Sequence, residues 1–225
     1  MKLLMHVCCA PCSVYCIEEL RNEGIEPTLY WYNPNIHPYM EYKARRDCLK
    51  EYANIINVKA IFEEEYGLDS FCKNVISNLN SRCVNYCYPV RLKKTFEYAK
   101  KHGYDTVTTT LLYSIYQQHD YIKQLMEQYS KEYKIDFLYR DFRIGFWKGH
   151  QKAHDLGLYM QKYCGCIFSS EEKINSTNTT NKKSKLPKGF EFLPVKRNVN
   201  IKKEKDNKEQ YMDLLLEADP SENMI

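Results

Sequence analysis

Five short runs rich in apolar and β-branched residues punctuate this chain: LLMHV (3–7), TLYWY (28–32), VKAIF (58–62), DTVTTT (105–110) and IDFLY (135–139). Longer stretches with helical character separate them, at 13–23, 39–56, 68–79, 88–102, 118–133 and, after the last run, 147–159. This alternation constrains the fold more than any other feature. Strands that alternate with helices predict right-handed crossovers and a parallel sheet covered on both faces. In 118–133 the residues Tyr121, Ile122, Leu125, Met126, Tyr129 and Tyr133 recur at helical spacing and are expected to face the core. The expected fold class is therefore α/β, a Rossmann-like parallel-sheet sandwich. Ligands in such sheets gather at the carboxyl ends of the strands.

A length of 225 residues allows one sizeable core, or one core with an appendage. The composition changes near residue 174, where INSTNTTNKKSKLPKG (174–189) is polar and low in complexity. We expect a catalytic α/β domain over 1–173, a flexible linker over 174–189, and a tail over 190–225 in which YMDLLLEA forms a short docking helix. No cysteine or histidine follows Cys166, so the chemistry is expected to lie in the first of these regions. Net charge is only +4, too balanced for wholesale polyanion binding, and any nucleic-acid contact must come from a local patch. MKLLMHV is too short for a secretory signal, and no stretch approaches the ~20 apolar residues of a membrane span. The expected location is the cytoplasm, where clustered cysteines bind metal or do redox chemistry rather than forming disulfide frameworks.

The cysteines cluster strongly. HVCCAPCSVYC (6–16) holds four of the ten. Cys8 and Cys9 end the first predicted strand, and adjacent side chains in a continuing strand would point to opposite faces. Two neighbouring ligands therefore need a turn, which Ala10-Pro11 supplies. Cys83 and Cys87 are four apart and share a face if helical. Cys164 and Cys166 flank a glycine in a predicted loop. Six thiols exceed what one zinc needs, and CC-x2-C followed by C-x3-C and C-x-C fits no zinc-ribbon spacing well. An iron–sulfur cluster takes four cysteines and leaves two over. A C-x-C pair closes a strained ring on oxidation, which makes it labile rather than structural. An iron–sulfur cluster with a redox dithiol, a structural zinc and buried unliganded thiols all remain open on the residues alone. Cys16, Cys48 and Cys72 read as core packing. Cys12 either adds a ligand or opens the following helix, where the dipole would lower its pKa.

The motifs HVCCAPC (6–12), YNPNIHP (32–38), EY-x2-R (41–45), RC-x3-CY-x2-RL (82–92), TTTLL-x-S-x-YQ-x-H (108–119), DFR (141–143) and GLY-x-QKYCGC-x-FS (157–169), in that order, resemble the QueH-type epoxyqueuosine reductases. The resemblance covers about three quarters of the chain, up to Ser169. It implies reduction of epoxyqueuosine to queuosine in the anticodon loop of tRNA, by an iron–sulfur enzyme on a nucleotide-hydrolase-like α/β fold. By that resemblance Cys8, Cys9, Cys83 and Cys87 hold a [4Fe–4S] cluster, although the middle pair here has three intervening residues where the family usually has two. Cys164 and Cys166 match a redox-active pair, or else ligands of a second, mononuclear iron to which Cys12 would add. The implied partners are tRNA and an electron donor, with no membrane.

Deoxygenating an epoxide consumes two electrons and two protons, and a general acid should protonate the departing oxygen. Asp141 is the expected acid, weighed against a salt bridge to Arg143 or Arg140 and against a helix cap. The expected substrate contacts are Tyr32, Asn33, His37, Arg45, Arg91, Tyr116, Gln117, His119 and Arg143, with Tyr32, Tyr113 and Tyr116 as stacking platforms for an unpaired base. The run KARR (43–46) and Arg91, Lys93, Lys94, Lys100 and Lys101 are expected phosphate contacts, weighed against an ordinary solvated face. The alternative function is a zinc-stabilised RNA-binding module without catalysis. A third, a tRNA-thiolating ATP-using enzyme, is weakened because CCAPCS stands where a glycine-rich phosphate loop should follow the first strand.

Overall fold

The computed structural model describes residues 1–180. Five strands, β1 (Leu3–His6), β2 (Thr28–Trp31), β3 (Ala60–Phe62), β4 (Thr106–Thr109) and β5 (Asp136–Phe137), form one sheet in the order β3-β2-β1-β4-β5. Every neighbouring pair is parallel. Each strand lies inside the run expected for it and is trimmed at its ends. Leu3, Leu4, Met5 and His6 are all buried, as are the four residues of β4, because a parallel sheet is covered on both faces.

The helices are α1 (Ala10–Asn22), α2 (Tyr39–Ile55), α3 (Leu68–Val75), α4 (Tyr88–Lys101), α5 (His119–Tyr133), α6 (Phe146–Asp155) and α7 (Ile167–Thr180). Six match the expected segments. Helix α1 starts three residues early because Pro11 fits its first turn, where a missing N–H costs nothing. Gly24, at φ +75°, lets the chain leave the helix. In α5, Ile122, Leu125, Met126 and Tyr129 are buried, as their spacing requires. Helix α7 was not expected. It runs through the first residues of the expected linker, and Glu172 within it pairs with Arg82 at 2.6 Å. The rest of the expected linker and the 190–225 tail lie outside the described residues.

Chain order explains where the site forms. The strands step outward from β1 to β3, then return past β1 to β4. Right-handed crossovers therefore place α1 and α2 on one face and α4 and α5 on the other. Connections leaving β1 and β4 diverge, which opens a crevice at their carboxyl ends. His6 and Thr109 are opposed at that edge. No helix among the described residues is long and apolar enough to cross a membrane.

Candidate functional site

Cys8 and Cys9 follow β1 at this crevice. Cys9 is the residue at which the chain turns from strand to helix, with φ −171° and ψ 161° ahead of Ala10. The turn brings neighbouring thiols to one side: the Cys8 and Cys9 Sγ atoms lie 3.9 Å apart, and with Cys12 the three sulfurs all fall within 4.8 Å. Such a group can hold a metal. Thiol hydrogen bonds from Cys12, then from Cys9, hold Cys8 well below the usual cysteine range. The Cys12 thiol is pushed up, first by its bond to Cys8. Helix α1 begins beside Cys12, as expected, but the shift there is opposite to the one expected from the dipole, because Cys12 is the proton donor of the group. Gln161 Nε2 donates to Cys12 Sγ at 3.5 Å. Beneath them His6 lies between Thr109 Oγ1 (3.0 Å) and the Tyr32 carbonyl (3.3 Å), and burial with Arg91 nearby lowers its pKa to about 3.

A second nest forms between α3 and α4. Residues Cys83–Cys87 make a π turn, an i→i+5 coil that takes up one more residue than an α-turn. This is how a pair with three intervening residues keeps both sulfurs together: the Cys87 thiol donates to Cys83 and, with Arg82 and Arg91 nearby, lowers the Cys83 pKa to about 6. Arg91 Nε donates to the Cys87 carbonyl at 2.6 Å. Cys87 also packs with Phe71, Val75 and Cys166 in a small apolar cluster separate from the main core.

Cys166 thus touches the second nest, while Cys164 is exposed and lines the crevice. Gly165 between them has φ +151°, which side chains rarely adopt, and a Cβ there would meet Ile36 at 3.3 Å and Arg45 at 3.4 Å. The loop is held from below by buried Arg45, whose guanidinium donates to the carbonyls of Tyr163 (2.9 Å) and Cys164 (3.0 Å) and to Glu41 (2.7 Å). Gln117 Nε2 donates to Cys164 Sγ at 3.5 Å and is itself fixed by Tyr88 Oη at 2.8 Å. The backbone N–H of Ser169 donates to Cys166 Sγ at 3.4 Å.

Cys8, Cys12 and Cys164 open together into a cleft of about 470 Å³. Among the described residues no aspartate or glutamate lines it, whereas Arg45, Arg91, Lys162 and Lys173 do. Its mouth carries Tyr116 and Trp147.

Comparison with known proteins decides the family. Residues 3–172 match the family model for epoxyqueuosine reductase QueH. The chain is 35% identical to the epoxyqueuosine reductase QueH of Dehalococcoides mccartyi, over 79% of this chain and 97% of that one. It is 33% identical to the protein of that name from Haemophilus influenzae (75% and 71% covered) and 30% identical to that from Thermotoga maritima (76% and 91%). The chain belongs to the epoxyqueuosine reductase QueH family. A solved structure of a "predicted subunit of tRNA methyltransferase" from Methanocaldococcus jannaschii is similar at TM-score 0.44 and 14% identity, over 80% of this chain and 88% of that one.

Of the residues expected at a QueH substrate site, the cleft gathers Arg45, Arg91, Tyr113, Tyr116 and Gln117. Others lie elsewhere. His37 is wholly buried between Tyr66 and Phe71, and Asn33 spends its amide on the Val7 carbonyl at 2.9 Å. Tyr32 is buried and donates to Glu65 at 3.0 Å. His119 is buried beside Tyr139 at the start of α5. These four side chains lie outside the lining of the cleft and bond or pack within the loops around it. Arg143 and Asp141 face each other at 2.6 Å, outside the cleft lining. Asp141 also caps the turn Phe142–Gly145 by accepting from the Arg143 N–H, and these bonds hold its carboxyl below the usual aspartate range. The ion pair and the cap weighed against the general-acid role are thus both present, and Asp141 lies outside the lining of the cleft. In the basic runs, Arg46 pairs with Asp47 and Glu64, and Lys94 with Glu63. Residues missed from sequence include Thr110, Gln161 and Ser169, all of which contact thiols, and Trp147. The first three lie inside the motifs already quoted, where sulfur drew attention away from its hydrogen-bond donors.

Proposed function

We propose that this protein reduces epoxyqueuosine to queuosine at the wobble position of tRNA. Membership of the family supports the reaction, and one observation carries the site: Cys164 opens into the same acid-free cleft as Cys8 and Cys12. In this reading the cleft receives the modified base, splayed from the loop as unpaired bases can be. Gln117 and Arg91 contact the base, while Tyr113 and Tyr116 flank it.

The thiol constellation fits an iron–sulfur centre. Three sulfurs lie within 4.8 Å, two of the site thiols are acidified, and Arg45 and Arg91 stand near to offset thiolate charge. Cys8, Cys9, Cys83 and Cys87 would hold a [4Fe–4S] cluster; Cys12 would be a ligand only in the alternative version, in which Cys164 and Cys166 bind a second, mononuclear iron instead of cycling as a dithiol. When bound, the cluster supplies single electrons taken from an external low-potential carrier. Cys164 and Cys166 serve as the two-electron store. Their oxidation to a disulfide releases two electrons and two protons, both epoxide C–O bonds break, the carbons close a double bond, and the oxygen leaves as water. No described residue of the cleft lining carries a carboxylate, and the Cys164 thiol delivers the first proton. The carrier then returns the disulfide to the dithiol.

The test is Cys164→Ser in anaerobically prepared protein. It should keep its iron and its visible absorption and fail to convert epoxyqueuosine-containing tRNA. Loss of the cluster would make Cys164 a ligand, and near-normal turnover would remove it from the chemistry. Loss of a single iron with the cluster intact would favour the mononuclear site. A colourless, zinc-loaded protein would replace the whole reading with the RNA-binding module.

A further inference from the structure

Two aromatic side chains at the mouth of the cleft are left largely open to water. Tyr116 is 77% exposed and Trp147 is 69% exposed. They are joined through Phe146, whose ring lies 5.8 Å from Tyr116 and 5.1 Å from Trp147, both edge to face. The lip is firmly mounted. Tyr113 Oη donates to the Phe146 carbonyl at 2.7 Å, and a Cβ at Gly149 would come within 2.6 Å of Tyr113 Oη and 2.7 Å of Tyr15, so α6 lies tight against α1. Exposing aromatic faces forfeits ~25 cal/mol for each Å² left in water, and an exposed patch beside a cleft marks a surface that a partner covers.

Charge identifies the partner. Among the described residues, the cleft behind the lip has no acidic lining residue and four cationic ones, Arg45, Arg91, Lys162 and Lys173. Planar aromatic faces beside a cationic, acid-free groove are the pairing that single-stranded nucleic acid uses, bases on the rings and phosphates along the cations. We propose that Trp147 stacks on an unpaired nucleotide adjacent to the target base, with Tyr116 stacking opposite it across the opening. The lip holds the loop open while the target base is inside. This rests on the reading that the cleft receives a tRNA base. The rival occupant is a protein electron carrier.

The chain supplies its own probe. It has two tryptophans, and Trp31 is fully buried, so collisional quenching by acrylamide reports on Trp147. Iron-loaded protein is titrated with tRNA carrying epoxyqueuosine and, separately, with the same tRNA carrying guanine at that position. Both should shield Trp147, since the flanking nucleotides are the same. Trp147→Ala should raise KM for the epoxyqueuosine tRNA by about tenfold or more with a smaller effect on kcat, and Trp147→Phe should recover most of it. Trp147 that stays equally accessible at saturating tRNA overturns the assignment, as does an unchanged KM in Trp147→Ala. If that variant binds tRNA normally but is reduced slowly by a protein carrier, the lip belongs to the carrier. If wild-type protein binds neither tRNA, the cleft reading falls as well; if it binds with Trp147 still open, only the lip assignment falls.

Discussion

The hydroxyl of Thr110 lies 3.4 Å from Cys8 Sγ, to which it donates, and accepts the Cys8 backbone N–H at 3.2 Å. One side chain thus joins the residue after β4 to the thiol after β1, across the sheet's point of divergence.

Thr110→Val keeps the shape and removes both bonds. Leaving the Cys8 N–H unpartnered should cost about 1–3 kcal/mol, read as a lower thermal midpoint. A donated hydrogen bond favours the more negative, reduced state of a thiolate-bound centre, so its loss should lower the midpoint potential, by tens of millivolts in order of magnitude. Redox titration of the anaerobic protein checks the sign; a higher potential would contradict the bond's role.

Arg45 is buried and fully committed to the C-x-C loop and Glu41. Arg45→Gln removes one member of a buried pair and should cost about 3–5 kcal/mol. Arg45→Lys keeps the charge but lacks the planar fork that reaches two carbonyls at once. It should hold the fold better than the Gln variant while losing turnover about tenfold or more, because a misplacement of the Cys164 loop is felt in the rate. Equal turnover in Arg45→Lys and wild type would reduce Arg45 to a packing residue.

Asp141→Asn separates cap from catalyst. A general acid contributes ~100-fold or more to rate, whereas this substitution should change turnover by less than about threefold. Stability should fall by about 0.5–1 kcal/mol at neutral pH, the pair being partly exposed and screened. Because the folded-state pKa of Asp141 is depressed, its contribution is present above the ordinary aspartate pKa and is lost as pH falls through the folded value. The stability gap between wild type and variant should therefore narrow in acid. Denaturant unfolding across that range measures it, and a gap that widens would contradict the pairing.

Helix α7 is tied to the second thiol nest and to the cleft. Glu172 pairs with Arg82, the neighbour of Cys83, and Lys173 lines the cleft. A chain ending at Thr180 should keep its iron content, and one ending at Ser170 should lose iron more readily in air. Glu172→Gln should show the same lability to a smaller degree. Equal iron retention by both truncations would make the ion pair irrelevant to the centre.

Much of this was legible in one dimension. The five runs specified five parallel strands because burial on both faces demands continuous apolar and β-branched residues, and α5 announced its buried face through a helical period. The thiol pairs were likewise local: Cys8 and Cys9 need only a turn, and Ala10-Pro11 provides it. What was not legible shares a cause. His37, Asn33, His119 and Asp141 sit in motif segments but outside the cleft lining, and a motif by itself does not say which of its side chains face a cleft. The π turn at Cys83–Cys87 and helix α7 were hidden because each packs on partners distant in the chain, Phe71 and Cys166 for the one and Arg82 for the other.

The sequence by itself determined the fold class, the family and the chemical type of the site, since strand period, motif order and sulfur spacing are properties of the chain alone. Only the tertiary structure decided which residues share a cleft. Parallel β1 and β4 lie side by side although the paired residues Leu4 and Val107 are 103 positions apart in the chain.

 No local signal predicts which thiols, cations and rings meet across such a span. The reason is physical: sheet order follows from how the helices cover both faces at once, and that is a property of the packed core rather than of any segment. The same packing buried His37 and left Trp147 open to water at the mouth of the cleft.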